Sequence, residues 1–113
     1  MITIYHNPRC SKSRQGLEIL ENSGKEFTIV KYLDNTFTKT QLNDIISYLG
    51  INPIDLVRKN ETIWKSDYKG KELSDNQIIE AMINNPKLIE RPIVVNNKKA
   101  VVGRPPESIL NIL

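Results

Sequence analysis

The first 32 residues constrain the fold more than any other stretch. Ile2-Thr3-Ile4-Tyr5 alternates along its length and uses β-prone side chains, so it reads as a strand. His6-Asn7-Pro8-Arg9 breaks that pattern. A helix is expected to begin near Cys10 or Ser11 and to run to Asn22. Leu17 and Leu20 fall on its inner face, and Gly24 is placed to cap its end. Phe27 to Tyr32 reads as a second strand. Strand, helix and strand within about 30 residues make a βαβ unit, with parallel strands and a right-handed crossover.

The middle of the chain is helical in pattern. Thr38 and Gln41 have the spacing of a capping box, followed by Leu42, Ile45, Ile46 and Leu49 at helical intervals. Gly50 ends that helix, and Asn52-Pro53 starts another, with Asn as cap and Pro at the first helical position. A short helix is expected around Glu61–Ser66, then a polar loop at Asp67–Lys71. A second capping box at Ser74 and Gln77 precedes Ile78, Ile79, Met82 and Ile83, and Asn85-Pro86 closes that helix. Near the end, Ile93–Val95 and Lys99–Val102 flank Asn96-Asn97 as a hairpin, and Pro105-Pro106 opens a last helix through Ile109, Leu110 and Leu113. The class is α/β. With the middle set aside, the element order is that of a thioredoxin-like, four-stranded mixed sheet carrying a helical insertion at about residues 35–88, all within a single domain of residues 1–113.

Composition narrows the functional classes. At 113 residues, 39% apolar and 26% charged, the chain has the make-up of a soluble globular domain. It has no apolar run of about 18 residues and no basic-then-apolar leader, so a cytoplasmic protein without a membrane partner is expected. A net charge of +3 with interspersed signs does not suit nucleic acid. The single cysteine excludes an intrachain disulfide, and one cysteine with one histidine does not make a zinc site. No metal or bound cofactor is called for, and a monomer is expected.

Cys10 stands between a strand end and a helix start, where unpaired amides and the helix dipole favour negative charge. The same amides can cradle an oxyanion. Arg9, Lys12 and Arg14 act in the same direction, and Ser11 and Ser13 offer hydroxyls. A free cysteine is often merely a small buried side chain, but these neighbours are polar, as around a reactive thiolate. His6 can be either a hydrogen-bonded structural histidine or a partner of the sulfur. Arg58, Arg91 and Arg104 can each be solvated surface residues. Arg91-Pro92 and Arg104-Pro105, however, flank the hairpin, where a thioredoxin-like sheet brings both near the first βα turn. Planar guanidinium groups there suit a tetrahedral oxyanion.

Three segments carry a family resemblance: Tyr5-His6-Asn7-Pro8-Arg9-Cys10-Ser11-Lys12-Ser13-Arg14, then Asn85 through Val95, then Val102-Gly103-Arg104-Pro105-Pro106-Glu107. Together, and in this order, they resemble the ArsC-type, glutaredoxin-dependent arsenate reductases, in particular a short, single-cysteine branch. The resemblance implies that Cys10 is the redox-active nucleophile, that His6 favours its thiolate and that Ser13 hydrogen-bonds it. It implies that Arg58, Arg91 and Arg104 hold arsenate, and that the Arg91-Pro92 bond is cis. Glutathione would be co-substrate and glutaredoxin the partner. Arg9 is an extra charge beside the nucleophile.

Two other readings compete. One is a glutathione-dependent thiol/disulfide reductase of the same fold, against which the three arginines speak. The other is an Spx-like regulator that binds RNA polymerase. Such regulators resemble this family but often carry a Cys-x-x-Cys switch at this turn, and here Ser13 occupies its last position.

Overall fold

The computed structural model describes all 113 residues, Met1 to Leu113. The chain divides into two compact units: Met1–Asn35 joined by Arg91–Leu113, and Thr36–Glu90. The second begins at Thr36, one residue after the start of the stretch read as a helical insertion, and extends to Glu90.

In the first unit, β1 (Ile2–Tyr5), α1 (Ser11–Ser23) and β2 (Phe27–Val30) form the βαβ motif, and β3 (Ile93–Asn96) and β4 (Lys99–Val102) form a hairpin. The sheet order is β2-β1-β3-β4. β1 runs parallel to β2, with Ile4 opposite Ile29, and antiparallel to β3, with Tyr5 opposite Ile93. β3 and β4 are antiparallel, so the sheet is mixed. The strand alternation reports its faces: Ile2 and Ile4 enter a core with Leu20, Val94 and Ile109, while Thr3 and Tyr5 are only half-buried. Each such buried aliphatic side chain contributes about 1.5–3 kcal/mol.

Three details differ from the sequence reading. β2 stops at Val30, because the chain turns at Lys31, whose carbonyl accepts the amides of Asp34 and Asn35 at 3.1 Å each. The hairpin turn is shifted along the chain: Asn96 pairs with Lys99, and Asn97 takes the left-handed φ of 57° that asparagine tolerates. The last helix is a 3-10 helix, Pro106–Ile112, whose first turn is tightened by the Ser108 amide bonding the Pro105 carbonyl at 3.0 Å.

Pro92 and Ile109 are wedged between two glycines. A Cβ on Gly16 of α1 would lie 2.8 Å from Pro92 Cγ and 2.9 Å from Ile109 Cδ1. A Cβ on Gly103, after β4, would lie 2.8 and 3.1 Å from the same atoms. Hydrogen side chains at both positions let the start of β3 seat directly on α1.

The second unit holds α2 (Lys39–Leu49), α3 (Thr62–Asp67) and α4 (Asp75–Asn84), with 3-10 turns at Pro53–Leu56 and Pro86–Leu88. The helix expected after Asn52 is only the first of these turns, and the second has no counterpart in the sequence reading. Both capping boxes close. Gln41 N donates to Thr38 Oγ1 at 3.1 Å and Thr38 N to Gln41 Oε1 at 2.9 Å; the Ser74 and Gln77 pair does likewise at 3.2 and 2.8 Å. α2 packs on α4, burying Leu42, Ile45, Ile46, Ile78, Ile79 and Met82. No helix is long and apolar enough to cross a membrane.

Candidate active site

The polar turn after β1 is tightly organised. The His6 amide donates to the Val30 carbonyl at 2.8 Å, extending the β1–β2 ladder by one bond. Asn7 is buried and shapes the turn leading to Cys10: its Oδ1 accepts the Arg9 amide and its carbonyl accepts the Cys10 amide, both at 3.0 Å. This is the local side-chain turn that asparagine favours. The sequence reading does not single out Asn7, although Asn-Pro ahead of a cysteine is a turn signal that could have found it. The Arg14 guanidinium closes the turn from outside by donating to the Pro8 carbonyl at 2.9 Å.

Cys10 is the N-cap residue of α1. Its backbone is extended, with φ −96° and ψ 124°, and its half-buried side chain makes no capping hydrogen bond. The first intrahelical bond runs from the Arg14 amide to the Cys10 carbonyl, at 3.0 Å. The amides of Ser11, Lys12 and Ser13 therefore have no acceptor within the helix. An N-cap side chain ordinarily supplies that acceptor, and an oxyanion can do so as well. Arg9 and Arg14 are exposed on the same turn and Lys12 is half-buried.

His6 and Ser13 meet beneath the turn. His6 Nδ1 lies 2.6 Å from Ser13 Oγ, and the Asn7 amide donates to the same oxygen at 3.0 Å. Both side chains are buried. Burial is the main influence holding the His6 pKa below its ordinary value. The charges of Lys31 and Arg14 add to this, and the Ser13 bond opposes it. These influences together favour the neutral form of His6. The Ser13 hydroxyl is engaged with His6 and Asn7 rather than with the sulfur. Its proton is free for the sulfur only in the tautomer where Nδ1 carries hydrogen and donates.

The arginines separate into two groups. Arg91 is buried and Arg104 exposed, and Arg104 Nη1 donates to the Arg91 carbonyl at 3.3 Å, so the two ends of the hairpin meet. The peptide bonds Arg91-Pro92 and Arg104-Pro105 are both cis. Arg58 belongs to the helical unit, where it is half-buried and its amide donates to the Leu88 carbonyl at 2.7 Å, beside the bridge between Val57 and Ile89.

Residues 5–112 match the sequence profile of the ArsC family. The chain belongs to that family. An uncharacterized Escherichia coli K12 protein, YfgD, is 46% identical over 99% of this chain and 96% of its own length. An arsenate reductase of Haemophilus influenzae is 41% identical over 99% of this chain and 98% of its own. A solved structure of an arsenate reductase from Vibrio cholerae superposes with a TM-score of 0.95 at 45% identity, covering 99% and 97% of the two chains. This ArsC-family chain thus shares the thioredoxin-like α/β fold of its relatives along its whole length.

Proposed function

We propose that this protein is a cytoplasmic arsenate reductase that works through a Cys10–arsenic intermediate, with glutathione and glutaredoxin as thiol donors. The observation that carries this reading is the position of Cys10. The sole cysteine of an ArsC-family chain caps α1 without a capping bond, among free amides and cations. Two of the relatives that match along this chain's full length, from Haemophilus influenzae and Vibrio cholerae, are named arsenate reductases.

The Cys10 thiolate attacks arsenic and a hydroxyl leaves as water with a proton taken from solvent, giving a thiol–arsenate ester with arsenic still pentavalent. Glutathione displaces a second hydroxyl, again as water, and forms a sulfur–arsenic bond. The glutaredoxin thiolate then attacks the glutathione sulfur. The electron pair of that sulfur–arsenic bond passes to arsenic, which becomes trivalent, and a mixed disulfide departs. Water releases arsenite and restores Cys10. Two thiols are oxidised to one disulfide for each two-electron reduction, so one cysteine in the enzyme suffices.

The α1 amides, Arg91 and Arg104 hold the oxyanion and the charge developing on it. His6 acts through Ser13: in its Nδ1–H form it leaves the Ser13 proton for the sulfur. The enzyme works as a monomer. Arsenite formation should be measured with glutathione plus glutaredoxin, and with thioredoxin plus thioredoxin reductase in their place. Turnover confined to the first mixture is the expected result, and turnover with thioredoxin alone would contradict the assigned donors.

A further inference from the structure

One cleft near the Cys10 turn has no part in holding the oxyanion. It measures about 320 Å³ and lies between His6, Asn7 and Arg9 of that turn and Lys31, Leu33 and Asp34 of the loop after β2. Its size is at the lower end of small-ligand cavities, which run from about 300 Å³. Both walls are braced. Asn7 holds the Arg9 amide, and the Lys31 carbonyl holds two amides while Tyr32 anchors the loop in the interior. Arg9, Lys31 and Asp34 are all exposed, and Leu33 adds an apolar face at 37% exposure. Lys31 lines the same cleft as His6 and Arg9 of the turn that leads to Cys10. A larger cavity of about 620 Å³ in the helical unit is lined by Glu61, Ile63, Asn84 and Lys87 and offers no second cation.

Two cations and one carboxylate around a cleft of this size complement a small peptide with two carboxylates and one ammonium. We propose that this cleft seats the thiol co-substrate, glutathione, with Arg9 and Lys31 facing its two carboxylates and Asp34 its ammonium. The inference rests on the reading of the protein as a glutathione-dependent arsenate reductase. It also answers a physical need. Glutathione and the arsenate ester on Cys10 are both anionic, and cations beside the path of approach offset their repulsion. Arg9, an additional charge next to the nucleophile, thereby acquires a role. The bond formed from this seat is glutathione sulfur to arsenic. The bond broken is arsenic to hydroxyl, which leaves with the thiol proton as water.

His6 is the only histidine, so its ring protons report on one wall of the cleft without ambiguity. S-Methylglutathione, which cannot react, should be titrated into wild type, Arg9→Ala, Lys31→Ala, Asp34→Ala and the Arg9→Ala/Lys31→Ala double variant, each checked for an unchanged fold by circular dichroism. Saturable movement of the His6 resonance is expected. Affinity should fall about two- to fivefold in each single variant, the scale of an exposed ion pair, and further in the double variant. Movement that never saturates, or equal affinity in the double variant, overturns the proposal. A wild type that binds S-methylglutathione through these residues but does not reduce arsenate upholds the seat and overturns the arsenate reading. Arsenate turnover whose KM for glutathione ignores Arg9 and Lys31 upholds the arsenate reading and overturns the seat.

Discussion

The imidazole of His6 and the hydroxyl of Ser13 are 2.6 Å apart in the interior, and the Asn7 amide shares the hydroxyl oxygen at 3.0 Å. Ser13 therefore joins the strand end, the turn and the helix that carries Cys10. Ser13→Ala leaves a buried imidazole nitrogen and a buried amide without this partner. A loss of about 1–3 kcal/mol in urea denaturation is expected, together with slower alkylation of Cys10 by iodoacetamide. A variant as stable and as reactive as wild type would remove Ser13 from the site.

The lowered His6 pKa sets the direction of a pH effect. The unfolded chain takes up a proton near the ordinary histidine value of about 6.5, and the folded chain does so only at lower pH. The resulting stabilisation is complete above about pH 6.5 and is lost as pH falls below it. Melting curves at pH 7 and pH 5.5 should show wild type losing more stability than His6→Gln. In an NMR titration Lys31→Ala should raise the His6 pKa, since the second-largest cause of its depression is then gone.

Gly16 reverses the usual helix rule. Alanine in an exposed helix interior gains about 1 kcal/mol over glycine, yet here its Cβ would sit 2.8 Å from Pro92 Cγ and 2.9 Å from Ile109 Cδ1. Gly16→Ala is expected to destabilise by about 1–3 kcal/mol through overpacking, while Gln15→Ala on the exposed neighbour leaves stability nearly unchanged. A stabilised Gly16→Ala would mean that Pro92 and Ile109 yield freely.

Arsenate should protect Cys10 from iodoacetamide. Arg91→Ala and Arg104→Ala are each expected to weaken that protection by about 1.5–3 kcal/mol, the scale of a charged hydrogen bond. Arg91→Lys tests the buried position with less disturbance. Unchanged protection in the Arg91 and Arg104 variants would assign the oxyanion to other groups.

Features encoded locally are readable in the sequence. Ile2–Tyr5 alternates because one face of β1 is buried, and Thr38 with Gln41 caps α2 by bonds confined to four consecutive residues. Cys10 is legible because polar turn residues and helix periodicity meet at it. Features that depend on distant partners are not. Gly16 and Gly103 are small because of Pro92 and Ile109, which a linear pattern does not connect to them. Lys31 looks like strand continuation, but the chain turns there onto Asp34 and Asn35, and Lys31 lines one cleft with His6. The depression of the His6 pKa arises from burial and from the charges of Lys31 and Arg14. The 3-10 form of Pro106–Ile112 is hidden because its apolar spacing also fits an α-helix.

The most direct measurement is arsenate-dependent NADPH oxidation, coupled through glutathione reductase with glutathione and glutaredoxin, for wild type and Cys10→Ser. Turnover by wild type that disappears in Cys10→Ser, with the variant still folded, is the expected result. Equal turnover in both, or none in wild type while Cys10 still reacts with iodoacetamide at neutral pH, would contradict arsenate reduction at Cys10.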